Sequence, residues 1–355
     1  MAPLTRGIGC MRNTPIRTVS ILSICLGLML TGLGLLVVAQ PAVAKDRRFE
    51  LPVVCDMGTV CTIQNYFDHD PSEDRVDYAC GRLSYDGHDG TDFRVPDLPT
   101  MREGVPVVAA APGVVKGLRD GMPDINVRKI GRAALKGRDA GNGVVIDHGD
   151  GWVTQYSHLR NGSVAVARGD RVETGQRLGD IGMSGWAEFP HVHFDVRYEG
   201  EELDPFVGFA AYTTCGDDRQ PLWSDAALKH LDYQPTGPLI AGFATERPVA
   251  DAARDGRYAA GQLSSDAGAL VMWVDLFGAE KGDKQRFQIR DPAGKQIHET
   301  DNVLEDSKVS WFAFSGMRRP PDGWTPGTYR GTYALTRGDE AIIILEREVE
   351  IGENP

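Results

Sequence analysis

Phe189-Pro-His-Val-His-Phe-Asp-Val-Arg197 alternates without error as a β-strand. Val192, Phe194 and Val196 project to one face, and His191, His193, Asp195 and Arg197 to the other, because successive strand side chains point to opposite sides. The apolar face packs on a core. The polar face carries two imidazoles two residues apart, ~6–7 Å along a strand that rises roughly 3.3 Å per residue. At that spacing one ring can hold a metal while the other faces whatever the metal has bound. Pro190 falls at the strand entrance, where a missing ladder donor is tolerated.

A second stretch supplies what such a metal needs. Tyr85-Asp-Gly-His-Asp-Gly-Thr-Asp-Phe93 sets His88 and Asp92 four apart, in a Gly-bearing turn that leads into an apolar strand. Two histidines and a carboxylate are a usual ligand set for catalytic zinc, with the fourth tetrahedral position left to water. Such a metal lowers the pKa of its water from ~15.7 toward ~7. A third stretch, Trp152-Val-Thr-Gln-Tyr-Ser-His158, reads as the return strand of a hairpin, with Thr154, Tyr156 and His158 on one face. His158 at its end is placed to take a proton from the zinc water or to donate to a tetrahedral intermediate. Tyr156 is expected to line the substrate groove.

Taken in order, His88-Asp-Gly-Thr-Asp92, Gly104-Val-Pro-Val-Val-Ala-Ala-Ala-Pro-Gly-Val-Val115, Val145-Ile-Asp-His-Gly-Asp-Gly151, Tyr156-Ser-His-Leu159 and His191-Val-His-Phe194 resemble the lysostaphin/LytM-type zinc metallopeptidases. That family cuts peptide bonds in bacterial peptidoglycan. The resemblance covers about Gly81 to Phe206 and implies an antiparallel two-layer β fold with a groove across the sheet. It also implies one zinc ion held by His88, Asp92 and His193, with His158 and His191 acting on the water and the scissile carbonyl. Trp186-Ala-Glu-Phe-Pro190 replaces the family's usual Ser-Thr-Gly-Pro run, so the groove is expected to be narrower or differently selective. The alternative kept beside a peptidase is an inactive LytM-like regulator or wall-binding protein that activates a partner hydrolase.

Outward from this core, the chain of 355 residues has room for two or three domains. Arg6, Arg12 and Arg17 precede an apolar run from Ile21 to Ala39 and a small-x-small site at Ala42-Val-Ala44. That is the layout of a secretory signal peptide over 1–44, with an uncleaved anchor as the alternative. Its removal takes away three Arg and no acid, so the formal charge goes from −12 to −15. So acidic a chain is a poor partner for nucleic acid or anionic lipid. Cys55, Cys61, Cys80 and Cys215 remain, and in an exported chain two disulfides are expected. Of the three pairings, Cys55–Cys61 with Cys80–Cys215 is favoured.

Residues 45–80 read as an N-terminal extension with an acidic turn at Asp68–Asp74, and 81–215 as the peptidase domain. Strands are expected at 105–115 around a Pro-Gly turn, and at 143–147, 152–158, 163–167, 177–181 and 192–197. Arg119–Arg138 is a surface insertion that walls the groove, and His148 is a turn residue. After a linker over 216–236 with a short helix near 224–231, alternating runs at 270–275, 285–289, 309–314, 327–333 and 341–345 predict an immunoglobulin-like β-sandwich over 237–355. That sandwich is the candidate surface for an envelope protein partner. His298-Glu299 opens an H-E-x-x-H pattern, but Asn302 ends it.

Overall fold

The computed structural model describes residues 46–210, 212 and 218–352. The predicted signal peptide and Cys215 lie outside the described residues. The alternating stretch forms the middle of an antiparallel sheet. In chain order the first half contains β1 (Thr62–Asn65), β2 (Thr91–Arg94), β3 (Pro106–Val108), β4 (Gly113–Arg119), β5 (Asn142–Gly149), β6 (Trp152–Leu159), β7 (Arg171–Val172), β8 (Arg177–Asp180), β9 (His191–Tyr198) and β10 (Glu201–Leu203). The large sheet runs β1-β2-β9-β6-β5-β4-β7, with β10 added beside β9, while β3 and β8 pair separately. Val192, Phe194 and Val196 enter the core with 0% exposure, as the alternation requires, against Phe93, Tyr156, Phe49 and Trp223. The pairs Asp92↔His193 and Arg94↔His191 fix the β2–β9 register.

Residues 46–61 take part in this core: Phe49 bridges to Trp223 and is fully buried. The Cys55–Cys61 disulfide forms, and Cys80 is also disulfide-bonded. Two sequence expectations change, those for 163–167 and for His148. The segment 163–167 is irregular. The two strands expected around the Pro-Gly turn form as β3 and β4, and each pairs elsewhere, β3 with β8 and β4 with β5 and β7. His148 belongs to β5 rather than to a turn, since Asp150-Gly151 alone closes the hairpin. The residues beyond Arg119 fold over their own small core of Met122, Val127 and Leu135, with an α-helical turn, α2 (Val127–Ile130), which follows α1 (Leu98–Glu103) in the chain, and a 3-10 turn at Arg132–Leu135.

The second half begins after a short helix, α3 (Asp225–Leu228), capped by the Ser224 hydroxyl. It comprises β11 (Gly237–Ala244), α4 (Ala250–Arg254), β12 (Gln262–Ser264), β13 (Ala269–Ala279), β14 (Lys284–Arg290), β15 (Gln296–Val303), β16 (Lys308–Arg318), β17 (Gly327–Arg337) and β18 (Glu340–Gly352). These form sheets β11-β13-β16 and β12-β18-β17-β14-β15. Leu270, Met272, Val274 and Leu276 of the first meet Phe287, Ile289, Tyr333 and Leu335 of the second in one apolar layer. This is a β-sandwich. It touches the first half through α1 and α4. Arg102 pairs with Asp255 at 2.5 Å, and a Cβ on Gly256 (φ +85°) would meet the Pro99 ring at 2.7 Å.

One buried chain of polar groups ties the first core together. His148 Nδ1–H donates to the Pro112 carbonyl at 2.8 Å, so the neutral ring accepts at Nε2 from the Thr154 hydroxyl, also at 2.8 Å. Tyr156 Oη lies 3.2 Å from that hydroxyl and accepts from Ala110 N–H at 2.8 Å. Burial pushes the His148 pKa down to about 4, so between pH 6.5 and 4 the unfolded chain binds the proton that the folded chain refuses. Stability from this group is therefore complete above pH 6.5 and lost as pH falls toward 4, with an upper bound of roughly 3 kcal/mol. Urea unfolding at pH 7 and pH 4.5 should show a larger acid-induced loss in the wild type than in His148→Gln.

Candidate metal centre

The polar face of β9 meets β2 and the turn before it. Asp92 Oδ1 lies 3.2 Å from His88 Nε2 and 3.0 Å from His193 Nδ1, and the two nitrogens are 3.1 Å apart. The three residues are buried and form the metal-capable cluster found among the described residues. Their spacing suits a tetrahedral ion, since bonds of about 2 Å put neighbouring donors ~3.3 Å apart.

Each donor is aimed by a partner of its own. His88 Nδ1–H donates to the Tyr66 carbonyl at 2.6 Å, which leaves Nε2 as the lone-pair nitrogen. His193 Nε2 lies 3.1 Å from Asp89 Oδ1, so its Nδ1 is the donor atom. Asn65 Nδ2 donates to Asp92 Oδ2 at 2.8 Å, turning Oδ1 toward the imidazoles. Gly90 is required here, because a Cβ would sit 2.7 Å from the His193 ring.

The charge balance points the same way. Burial opposes ionisation of Asp92, but His88 and His191 outweigh it and hold the carboxyl well below its usual range. Burial likewise disfavours charge on His193, yet the hydrogen bonds to Asp89 and Asp92 push its pKa up to about 10. The same two carboxylates that favour positive charge on His193 would favour a cation between these donors.

Two further imidazoles border the cluster. His191 Nε2 stands 3.5 Å from Asp92 Oδ1, and its Nδ1–H donates to the Phe189 carbonyl at 2.9 Å. His158 Nδ1–H donates to the Ser184 carbonyl at 2.8 Å, and its ring centre is 4.7 Å from that of His191. Burial lowers the pKa of both, with His158 well below the ordinary imidazole value. Both rings are therefore neutral near pH 7, each with an unprotonated Nε2.

The structure brings together His88, Asp92, His158, His191 and His193, but by a different route for β6. Tyr156 pairs with Phe194 and Ser157 with His193, so Thr154 and Tyr156 face the core. Tyr156 is fully buried and lines no groove, which corrects the sequence expectation. Strict alternation would send His158 into the core as well. Its left-handed backbone (φ +63°) turns it to the site, a conformation that costs energy in most residues and clusters at functional positions. Asp195 pairs with Arg197 at 3.0 Å rather than supporting a ligand.

Asn65 and Asp89 were not singled out from sequence. Asp89 lies inside the H-x-x-x-D stretch and was legible there. Asn65 carries no motif. It reaches Asp92 because β1 is irregular between Ile63 and Asn65, and a bulge re-aims side chains.

Residues 86–205 match the sequence profile of Peptidase family M23. This segment is an M23-family domain. It is similar to the cell division protein DipM of Caulobacter vibrioides (31% identity over 31% of this chain and 14% of that protein). It is also similar to the peptidoglycan DD-endopeptidase ShyA of Vibrio cholerae (32%, over 33% and 22%). A third relative is the DD-carboxypeptidase/endopeptidase Mpg of Neisseria meningitidis (31%, over 33% and 22%). The chain thus spans less than a quarter of the length of each of these relatives. No helix among the described residues is long and apolar enough to cross a membrane.

If Asp92 takes part in holding a metal ion and Asn65 aims its carboxylate, Asn65→Ala should weaken the binding of added zinc about 10–100-fold, the usual effect of losing such a partner. Competition with a chromophoric chelator measures this, with the circular dichroism spectrum unchanged.

Proposed function

We propose that the chain is an exported zinc metalloendopeptidase that hydrolyses peptide cross-links of bacterial peptidoglycan. The observation that carries this reading is the three-donor cluster of His88, Asp92 and His193, flanked by two neutral imidazoles whose remaining nitrogens carry lone pairs. When bound, zinc supplies a Lewis acid for the scissile carbonyl and acidifies a water.

The chain's own residues manage the protons. Amide hydrolysis adds water to the carbonyl carbon and breaks the C–N bond. One proton must leave the attacking water and one must reach the departing amine nitrogen. His158 and His191 are the groups for these transfers, each accepting or giving a proton at Nε2 while Nδ1–H stays fixed on a carbonyl. In the protonated state either ring can also donate to the developing oxyanion. Phe189 and Trp186 border the adjoining cleft.

The substrate class rests on the names of the relatives, among them a peptidoglycan DD-endopeptidase. Export rests on the N-terminal sequence and is consistent with the Cys55–Cys61 disulfide. In this reading 1–44 is the signal peptide, 45–80 an extension whose residues join the core, 81–215 the peptidase domain, 216–236 a linker and 237–355 the accessory sandwich.

Zinc-loaded mature protein should release muropeptides from purified sacculi, identified by mass spectrometry, and a chelator should stop it. His158→Ala and His191→Ala should each lower turnover about 10²–10⁴-fold with zinc content unchanged. Intact sacculi after incubation with fully zinc-loaded protein would refute the reading in favour of a non-catalytic regulator.

A further inference from the structure

The cleft beside the metal centre is walled by both halves of the chain. It encloses about 750 Å3, and its lining runs from Asp92 and His191 past Arg94 and Phe189 to Arg254, Ser310 and Phe312 of the sandwich. Five cations line it (Arg75, Arg94, Arg128, Lys129 and Arg254) against three carboxylates, Asp92, Glu188 and Asp251. This surplus sits in a chain whose formal charge is −12. Asp92 belongs to the metal cluster, and Glu188 is taken by Arg128 at 2.5 Å.

Arg94 has no such match. It is 2% exposed, and its guanidinium lies 4.6 Å over the Phe189 ring. Its acceptors are neutral: Gln64 Oε1, the Val95 carbonyl at 3.3 Å and the Pro96 carbonyl at 3.4 Å. A buried cation without a counter-ion is costly. Nearby, α4 of the sandwich supplies Arg254, whose Nε and Nη2 hold Asp275 at 2.6 and 2.8 Å, with Nη2 also 3.0 Å from Ser310 Oγ. Asp275 is thus already committed, and Arg254 Nη1 makes none of these bonds.

We propose that Arg94, together with Arg254, forms a receptor for a carboxylate of the peptide substrate, so that the C-terminal sandwich completes the substrate site. This rests on the peptidase reading above. Arg94 pairs across the sheet with His191, as Asp92 does with His193. The bound carboxylate therefore lies about 7 Å from the reacting centre along the strand direction, or roughly two residues of an extended peptide. The receptor selects peptides with an acidic group at that distance and disfavours their amides.

The test uses the full zinc-loaded chain and a synthetic stem tetrapeptide, prepared as the free acid and as the amide at every carboxyl. Calorimetry should show the acid binding at least tenfold tighter. Arg94→Met should bring acid and amide within about twofold without lowering Tm, because it removes a buried charge held by no direct ion pair. Gln64→Glu, which sets a carboxylate against Arg94, should abolish the preference in the same way and raise Tm, and it serves where Arg94→Met fails to fold. Equal binding of acid and amide by the wild type overturns the proposal. So does a preference that survives in both variants, which would place the carboxylate on the zinc. Cleavage of a cross-linked peptide dimer is measured separately. Cleavage without acid preference sinks the receptor alone, and acid preference without cleavage sinks the peptidase reading alone.

Discussion

The structure depends on one pairing, Asp92 opposite His193 across β2 and β9. It brings a carboxylate oxygen and an imidazole nitrogen to 3.0 Å inside a core-forming sheet. Three lone-pair donors that close together, removed from water, repel one another unless positive charge lies between them. The sheet enforces the arrangement because the opposite faces of the same strands hold Phe93, Val192, Phe194 and Val196 at 0% exposure. A one-residue slip would move Asp92 and His193 into that apolar layer and the apolar side chains to the site. Burial of the core thus fixes the position of Asp92 and His193 in the cluster that could hold a metal.

What was legible in the sequence was whatever obeys a fixed period. The alternation of 191–197 gave both faces of β9, and the four-residue spacing of His88 and Asp92 gave a turn feeding a strand. The sandwich strands β13, β14, β16, β17 and β18 were visible for the same reason. Period-two reasoning failed where the backbone departs from a regular strand. His158 reaches the site through a single left-handed residue, and Asn65 through an irregular β1 pairing. Neither leaves a mark in residue type. The same rule assigned Tyr156 to the groove, whereas its hydroxyl answers a backbone N–H in the core.

The association of the sandwich with the M23 domain was not legible either, because it rests on contacts between residues far apart in the chain. Arg102 of α1 reaches Asp255 across 153 positions, and Pro99 lies against Gly256. Such pairs are ordinary surface residues when read alone. Only the fold shows that α4 faces the same cleft as β2, and that the buried Asp275 is satisfied by an arginine from α4.

The strained backbone of His158 is best understood through its hydrogen bonds. Its N–H donates to the Ala140 carbonyl at 2.9 Å and its ring to the Ser184 carbonyl at 2.8 Å. Ser184 in turn receives the Asn142 N–H and donates to the Leu159 carbonyl, both at 2.8 Å. Each bond is worth about 1 kcal/mol, so together they offset a left-handed residue, which costs of order 1–3 kcal/mol. The segments that make them, 138–142 and 183–186, flank the small fold of residues 122–135 and the Trp186 loop, where Arg132 stacks on Trp186 at 3.8 Å. The insertion therefore does more than wall the cleft. Its Asp124 bridges to Ser184 and accepts from Met183 N–H, and its Arg138 carbonyl accepts from Gly141 N–H, so it braces the neighbours of the two carbonyls that keep the His158 ring turned out of the core.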